Sequence, residues 1–275
     1  MHVFLQLLLL AILVYGAILI CISVLQRKMI FFPVHTRHPL QPAEATGFCL
    51  ERSGAVLRGW LFNEQFASSK MIIYYGGNSE DIYLNREQFS SFVDIAVLLV
   101  NYRGYGTSTG TPGEKEFYED ALAVFDEVSA RHAPPELFLM GRSLGSAVAS
   151  YVASQREVSA IILVTPFDSL ETLAKKLYPF LPISLILRHK FHAAQHLKGV
   201  NTPALILYAG RDRIVPGLST ERLVMHMHMK KKVVCIEEAE HNTIDLYDEY
   251  QLALLQFITT ATEQQDTLHQ EEDYI

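Results

Sequence analysis

The chain has 275 residues, enough for one large domain with a full core, and carries a formal net charge of −7 with pI near 5.9. That balance excludes a nucleic-acid binder, which needs a basic face. Hydrophobic residues make up 49% of the sequence and mean hydropathy is +0.15, a surplus concentrated at the N-terminus.

Residues 3–25 contain no charged side chain, and only Gln6 and Ser23 are clearly polar. A helix of that length reaches about 34 Å, enough to cross a hydrocarbon core of about 30 Å. A signal peptide is the rival, but no basic region precedes the run, and Ile20 stands where a lipoprotein-type site before Cys21 needs a small residue. Residues 1–28 are therefore expected to be a retained transmembrane anchor. Arg27 and Lys28 follow the span and none precede it, which places the domain on the cytoplasmic side by the positive-inside rule. Three cysteines, Cys21, Cys49 and Cys235, suggest no disulfide framework.

Residues 29–46 form a connector punctuated by Pro33, Pro39 and Pro42. A hairpin follows, with strands at 47–52 and 56–62 around Ser53-Gly54. Apolar runs at 71–75, 95–100, 137–140, 160–164, 204–208 and 232–236 then alternate with helical segments at 82–92, 114–131, 144–154, 218–228 and 243–260. Near-continuous apolar runs mean strands covered on both faces, as in a mostly parallel sheet flanked by helices. Residues 47–262 thus read as one α/β domain. About forty residues separate the fourth run from Pro203, more than a crossover needs. This apolar insertion, about 167–198, with Pro179 and Pro182 as breaks, reads as a lid, the alternative being additional core. Residues 263–275 carry five acids and no Lys or Arg and read as a solvated, disordered tail.

In open α/β sheets, ligands bind at the carboxyl ends of the strands. There the sequence places Gly76-Gly77-Asn78, then Asn101-Tyr102-Arg103-Gly104, then Gly141-Arg142-Ser143-Leu144-Gly145, Thr165-Pro166-Phe167-Asp168, Gly210-Arg211-Asp212, and Glu240-His241-Asn242. Gly141–Gly145 is a Gly-x-Ser-x-Gly pattern between a strand and a helix, with Gly141 and Gly145 making room for a sharp turn. The order Ser143, Asp212, His241 is the one expected of this fold. A serine hydroxyl needs a base to take its proton, and His241 suits that task. Asp212 would orient the imidazole and stabilise its cation. The Leu144 N–H, next to the nucleophile, is one oxyanion donor.

On these motifs the chain resembles the alpha/beta-hydrolase superfamily, and within it the membrane-anchored, lipase- and depalmitoylase-like hydrolases. The resemblance implies the Asn78 N–H as second oxyanion donor and acyl-chain substrates, as in lipid lipases and protein depalmitoylases. Two departures stand out: Gly76 replaces a usual histidine, altering the oxyanion loop, and Glu240 replaces a glycine before His241, where it is positioned to perturb the base.

Other assignments compete. Asp168 and Asp245 are alternative acids. Arg103 either binds an anionic substrate group or, the better account, braces its loop. His189, His192 and His196 invite zinc, but no thiolate or carboxylate completes a site. Met225-His226-Met227-His228-Met229 invites copper, but alternation by two cannot place both histidines on one helical face, and a helix C-terminus is the better account.

The reading is a membrane-anchored serine hydrolase that cleaves an acyl ester or thioester and needs no metal or organic cofactor. Gly77, Phe167, Leu177 and Phe180 are the candidate substrate contacts, and the bilayer is the expected partner. A serine peptidase of the same fold and a non-catalytic lipid- or partner-binding scaffold are the alternatives.

Overall fold

The structure, a computed structural model, describes residues 1–35, 38, 45–89 and 92–272, with side chains to Ala261. Pro39 and Pro42 of the connector and the last three residues of the acidic segment lie outside them.

Helix α1 (His2–Ile30) is followed by a hairpin of β1 (Ala45–Arg52) and β2 (Ala55–Phe62). Then come β3 (Lys70–Tyr75), β4 (Ala96–Val100), α2 (Glu114–His132), β5 (Glu136–Arg142), α3 (Leu144–Gln155) and β6 (Ala160–Val164). Three short helices, α4 (Leu170–Leu177), α5 (Ile183–Ile186) and α6 (Ala193–His196), form the insertion. The chain closes with β7 (Ala204–Ala209), α7 (Gly217–Met225), β8 (Lys231–Ile236) and α8 (Asp248–Glu272).

The strands make one eight-stranded sheet in the order β1-β2-β4-β3-β5-β6-β7-β8, antiparallel only across β1–β2 and β2–β4. Both faces are covered, so consecutive residues of a strand enter different cores. Met71, Ile73 and Tyr75 pack with Phe117, Val148 and Leu223 from α2, α3 and α7. Ile72 and Tyr74 pack with Ile82, Phe92, Tyr250 and Leu254 on the other side. This is why the runs read as continuously apolar.

Three expected helices differ. The segment at 82–92 is a 3-10 turn, Ile82–Glu87, started by the Asp81 carboxylate accepting from Tyr83 N at 3.3 Å. The last helix begins at Asp248, because Thr243 holds residues 240–243 in a tight loop, its Oγ1 accepting from Glu240 N at 3.1 Å. It then continues to Glu272, so the segment expected to be a disordered tail is helical up to that residue. The expected helix at 218–228 is α7, which stops at Met225.

Register decides what meets what. Tyr75 pairs with Gly141 and Arg142 with Val164, so β3, β5 and β6 end level with one another. Ala209 pairs with Ile236 at the ends of β7 and β8. The segments following these five strands therefore share one edge of the sheet.

Candidate active site

Ser143 sits between β5 and α3 at φ 50°, ψ −114°, left-handed backbone that a side chain normally avoids. Such strain costs about 1–3 kcal/mol and persists only where surroundings enforce it. Here Ser143 N donates to Val164 O at 2.8 Å, and Ser143 O accepts from Ser146 N at 2.9 Å. The flanking glycines are required sterically. A Cβ on Gly141 would strike Gly145 O, and one on Gly145 would strike the carbonyls of Tyr75 and Gly76. The turn is thus sharp because α3 is packed directly on the end of β3.

His241 Nε2 lies 3.1 Å from Ser143 Oγ, and His241 Nδ1 lies 2.6 Å from Asp212 Oδ2. The other carboxylate oxygen of Asp212 accepts from Ile214 N at 2.8 Å and Val215 N at 2.7 Å. Both oxygens are thereby committed, and the Asp212 side chain is only 2% exposed. Arg142 donates to His241 O at 3.1 Å and steadies the histidine loop from below. Such a chain can pass a serine proton to imidazole and stabilise the resulting cation.

The loop after β3 lies against Ser143: a Cβ on Gly77 would stand 3.8 Å from Ser143 Cβ. The Gly77 N–H is taken by Glu80, while no partner takes the Asn78 N–H or the Leu144 N–H among the described residues. Asn78 is pinned by its side chain, which donates to Ile30 O at 2.6 Å and accepts from Tyr105 Oη at 2.7 Å and Phe32 N at 3.3 Å. The glycine at 76 has a tertiary reason, since the Ile82 side chain occupies the space a Cβ would need.

Sequence reasoning missed the support beneath this loop. Glu80 accepts from Tyr74 Oη at 2.9 Å, Asn85 Nδ2 at 2.7 Å and Arg142 at 3.3 Å. Asp245 lies 3.6 Å from Arg142. Burial disfavours the Arg142 charge, but Tyr74, Glu80 and Asp245 around it hold its pKa above the ordinary value. Arg142 thus ties the loop after β3 to the histidine loop. The one available clue was an arginine inside the serine turn followed across space by a glutamate four residues after Gly76.

The remaining candidates separate. Asp168 is occupied by Ser219 and by Arg222, at 3.1 and 3.2 Å. Burial alone would raise its pKa, yet hydrogen bonds from Arg222 and Ser219 hold it below the ordinary value. Arg103 forms a two-pronged pair with Asp120 of α2 at 2.7 and 2.6 Å and so braces its loop. Glu240 is exposed. His189 packs edge-on to Phe31, and His196 against Tyr118 and Tyr151. Of the candidate substrate contacts, Gly77 adjoins Ser143 and Phe167 is buried in the core beneath the lid. Leu177 and Phe180 point outward from the lid apex.

The comparisons agree with the fold. The family model described as serine aminopeptidase, S33, matches residues 90–193. An uncharacterized Mycobacterium tuberculosis protein, Rv2307c, is 32% identical over 232 residues, covering 81% of this chain and 83% of its own length. The chain belongs to the alpha/beta-hydrolase superfamily. The lysophosphatidylserine lipase ABHD12 of Macaca fascicularis is 32% identical over 182 residues, which cover 56% of this chain and 45% of that protein. An uncharacterized membrane protein of Saccharomyces cerevisiae, YNL320W, is 30% identical across 70% of this chain and 72% of its own. Among solved structures, the Pyrococcus furiosus esterase Pf2001 superposes with a TM-score of 0.70 at 16% identity, over 85% of this chain and 98% of that one. As a member of the superfamily, this chain is a hydrolase.

Proposed function

We propose that the protein is a membrane-anchored serine hydrolase that cleaves acyl esters or thioesters through an acyl-enzyme on Ser143. The observation that carries this reading is the unbroken chain from Ser143 Oγ through both ring nitrogens of His241 to Asp212, at 3.1 and 2.6 Å. Ser143 Oγ bonds to the substrate carbonyl carbon as its proton passes to His241 Nε2. The oxyanion so formed faces the N–H groups of Asn78 and Leu144. Collapse expels the alcohol or thiol, which leaves with the proton held by His241. Water then attacks the acyl-enzyme, again giving its proton to His241, and the acid departs as Ser143 recovers its hydrogen.

Acyl-chain substrates are supported by α1, whose residues 3–25 carry no charge and suit a bilayer span, and by similarity to a lysophosphatidylserine lipase. Arg27 and Lys28 at the inner end of α1 favour a cytoplasmic domain. A peptidase is the second reading, favoured by the description of the matched family. A fluorophosphonate probe tests the nucleophile: the wild type should label and Ser143→Ala should not, whereas equal labelling of both sinks the reading. A panel of p-nitrophenyl esters graded by chain length, run beside aminoacyl-anilides, separates esterase from peptidase.

A further inference from the structure

Helix α1 carries one buried residue, and it is a polar one. Gln26 donates to Ile186 O at 3.1 Å and accepts from Arg188 N at 2.7 Å, so it pairs with the lid backbone much as a strand would. Higher on the same helix, Tyr15 Oη donates to Phe180 O at 2.8 Å. Gln26 and Tyr15 are separated by about 16 Å at 1.5 Å per residue. The lid apex therefore climbs alongside α1 for about the depth of one leaflet, half of a hydrocarbon core of about 30 Å.

The lid side chains suit that depth. Phe180 is 90% exposed and Leu185 86%, with Leu177 and Tyr178 also outward. The Phe180 carbonyl, at a turn broken by Pro179 and Pro182, has in Tyr15 the partner that hydrocarbon would deny it. Exposed Ile214, Leu218 and Leu246 lie on the segments after β7 and β8, at the same sheet edge as Ser143, and exposed Phe32 is bonded through its backbone N–H to Asn78 in the loop after β3. Exposed apolar surface gathered on one edge marks an interaction face. Arg27 and Lys28 follow Gln26 on α1, Arg188 bonds to Gln26 through its backbone N–H, and all three are exposed, as is Lys176 at the end of α4. Lys175 and Lys190 are paired with Glu171 at 2.7 and 3.7 Å. The cations at the Gln26 end of α1 match acidic lipid headgroups.

We propose that the lid apex and the apolar rim around Ser143 dock into the leaflet that holds α1, so that the active site opens onto the bilayer and receives acyl chains sideways from it. The inference rests on α1 being a membrane anchor, and its occupant is one leaflet of a lipid bilayer. Continuity with α1 is what selects lipid over a protein partner, because a partner seated on the apex would have to sit inside the bilayer beside the anchor.

The test places an environment-sensitive fluorophore at single cysteines in the full chain, with Cys21, Cys49 and Cys235 changed to serine. The chain is reconstituted in phosphatidylcholine vesicles containing phosphatidylglycerol and, in parallel, lipids brominated on the acyl chain. Labels at Phe180→Cys and Leu185→Cys should be blue-shifted and quenched several-fold, as should Leu10→Cys in α1, while Leu252→Cys on α8 stays in water. Quenching at position 10 with water-like emission at 180 and 185 overturns the docking and leaves the anchor standing. No quenching at position 10 defeats the anchor reading and the docking with it. Activity gives a second readout. Leu185→Glu should raise the apparent KM for p-nitrophenyl palmitate dissolved in the vesicles about tenfold and leave aqueous p-nitrophenyl acetate hydrolysis unchanged. Equal loss on both substrates overturns the proposal.

Discussion

Asp212→Asn keeps the size of the side chain and removes only its charge and one acceptor, so its effect follows from hydrogen bonding. Two backbone donors, Ile214 N and Val215 N, converge on Oδ1. An asparagine must therefore turn its carbonyl oxygen toward them, because the reverse orientation opposes an NH2 group to two N–H groups. Losing two net hydrogen bonds at about 1 kcal/mol each, with unsatisfied donors in addition, disfavours that flip by roughly 2–4 kcal/mol. The NH2 group then faces His241 Nδ1 and can bond only to its lone pair. The ring is held with its proton on Nε2, facing Ser143 Oγ, where it cannot accept one. The same substitution in a serine protease lowers kcat by about 10⁴. A loss of about 10³–10⁴ is expected here, or about 4–5.5 kcal/mol in barrier at 1.36 kcal/mol per decade. The assay is steady-state hydrolysis of p-nitrophenyl butyrate, with thermal unfolding to show that the fold is intact. Asp168→Asn, whose partners are Ser219 and Arg222, should change kcat little. A folded Asp212→Asn protein within tenfold of wild type would refute the reasoning.

Two other outcomes are expected. Asn78→Ala leaves Ile30 O, Phe32 N and Tyr105 Oη without their partner, so the backbone N–H of residue 78 loses its bearing. On a short aqueous ester kcat should fall about 10–100-fold with KM nearly constant, and a kcat within twofold of wild type would show that the Asn78 side chain serves only to hold the end of α1. The Glu171 carboxyl is held at about 2 by hydrogen bonds from Lys175 and Ser184. A folded value below the ordinary 4.5 means that its contribution is complete above that pH and is lost as pH falls toward about 2. Hydrogen exchange over residues 170–190, corrected for intrinsic rate, should therefore accelerate between pH 5 and pH about 2.5, and Glu171→Gln should abolish the change. Identical protection at both ends would remove Glu171 from the role of lid clamp.

The sheet and the composition of its carboxyl edge were legible in the amino-acid pattern. Strands covered on both faces must be apolar at every position, so 71–75 and 160–164 were legible without knowing their neighbours. Chemistry that needs a sharp turn needs glycines, so Gly141 and Gly145 marked Ser143 from a local pattern. Asp212 and His241 were legible because each follows a strand end, where the topology leaves little choice of location.

How those pieces are held depends on contacts between distant parts of the chain. Arg142 reaches Glu80 across 62 positions and His241 across 99, and Gln26 meets the lid across 160. Pairings at such separations leave no periodicity, because each partner satisfies a local pattern of its own. Gln26 carried no signal in the sequence and is buried against Ile186 and Arg188. Asp168 looked like an alternative acid and is spent on Ser219 and Arg222. Phe167, Leu177 and Phe180 were equivalent as apolar letters, yet folding buries the first and turns the other two outward. Hydrophobicity says that a side chain leaves water; the three-dimensional arrangement decides whether it enters a core or faces a bilayer.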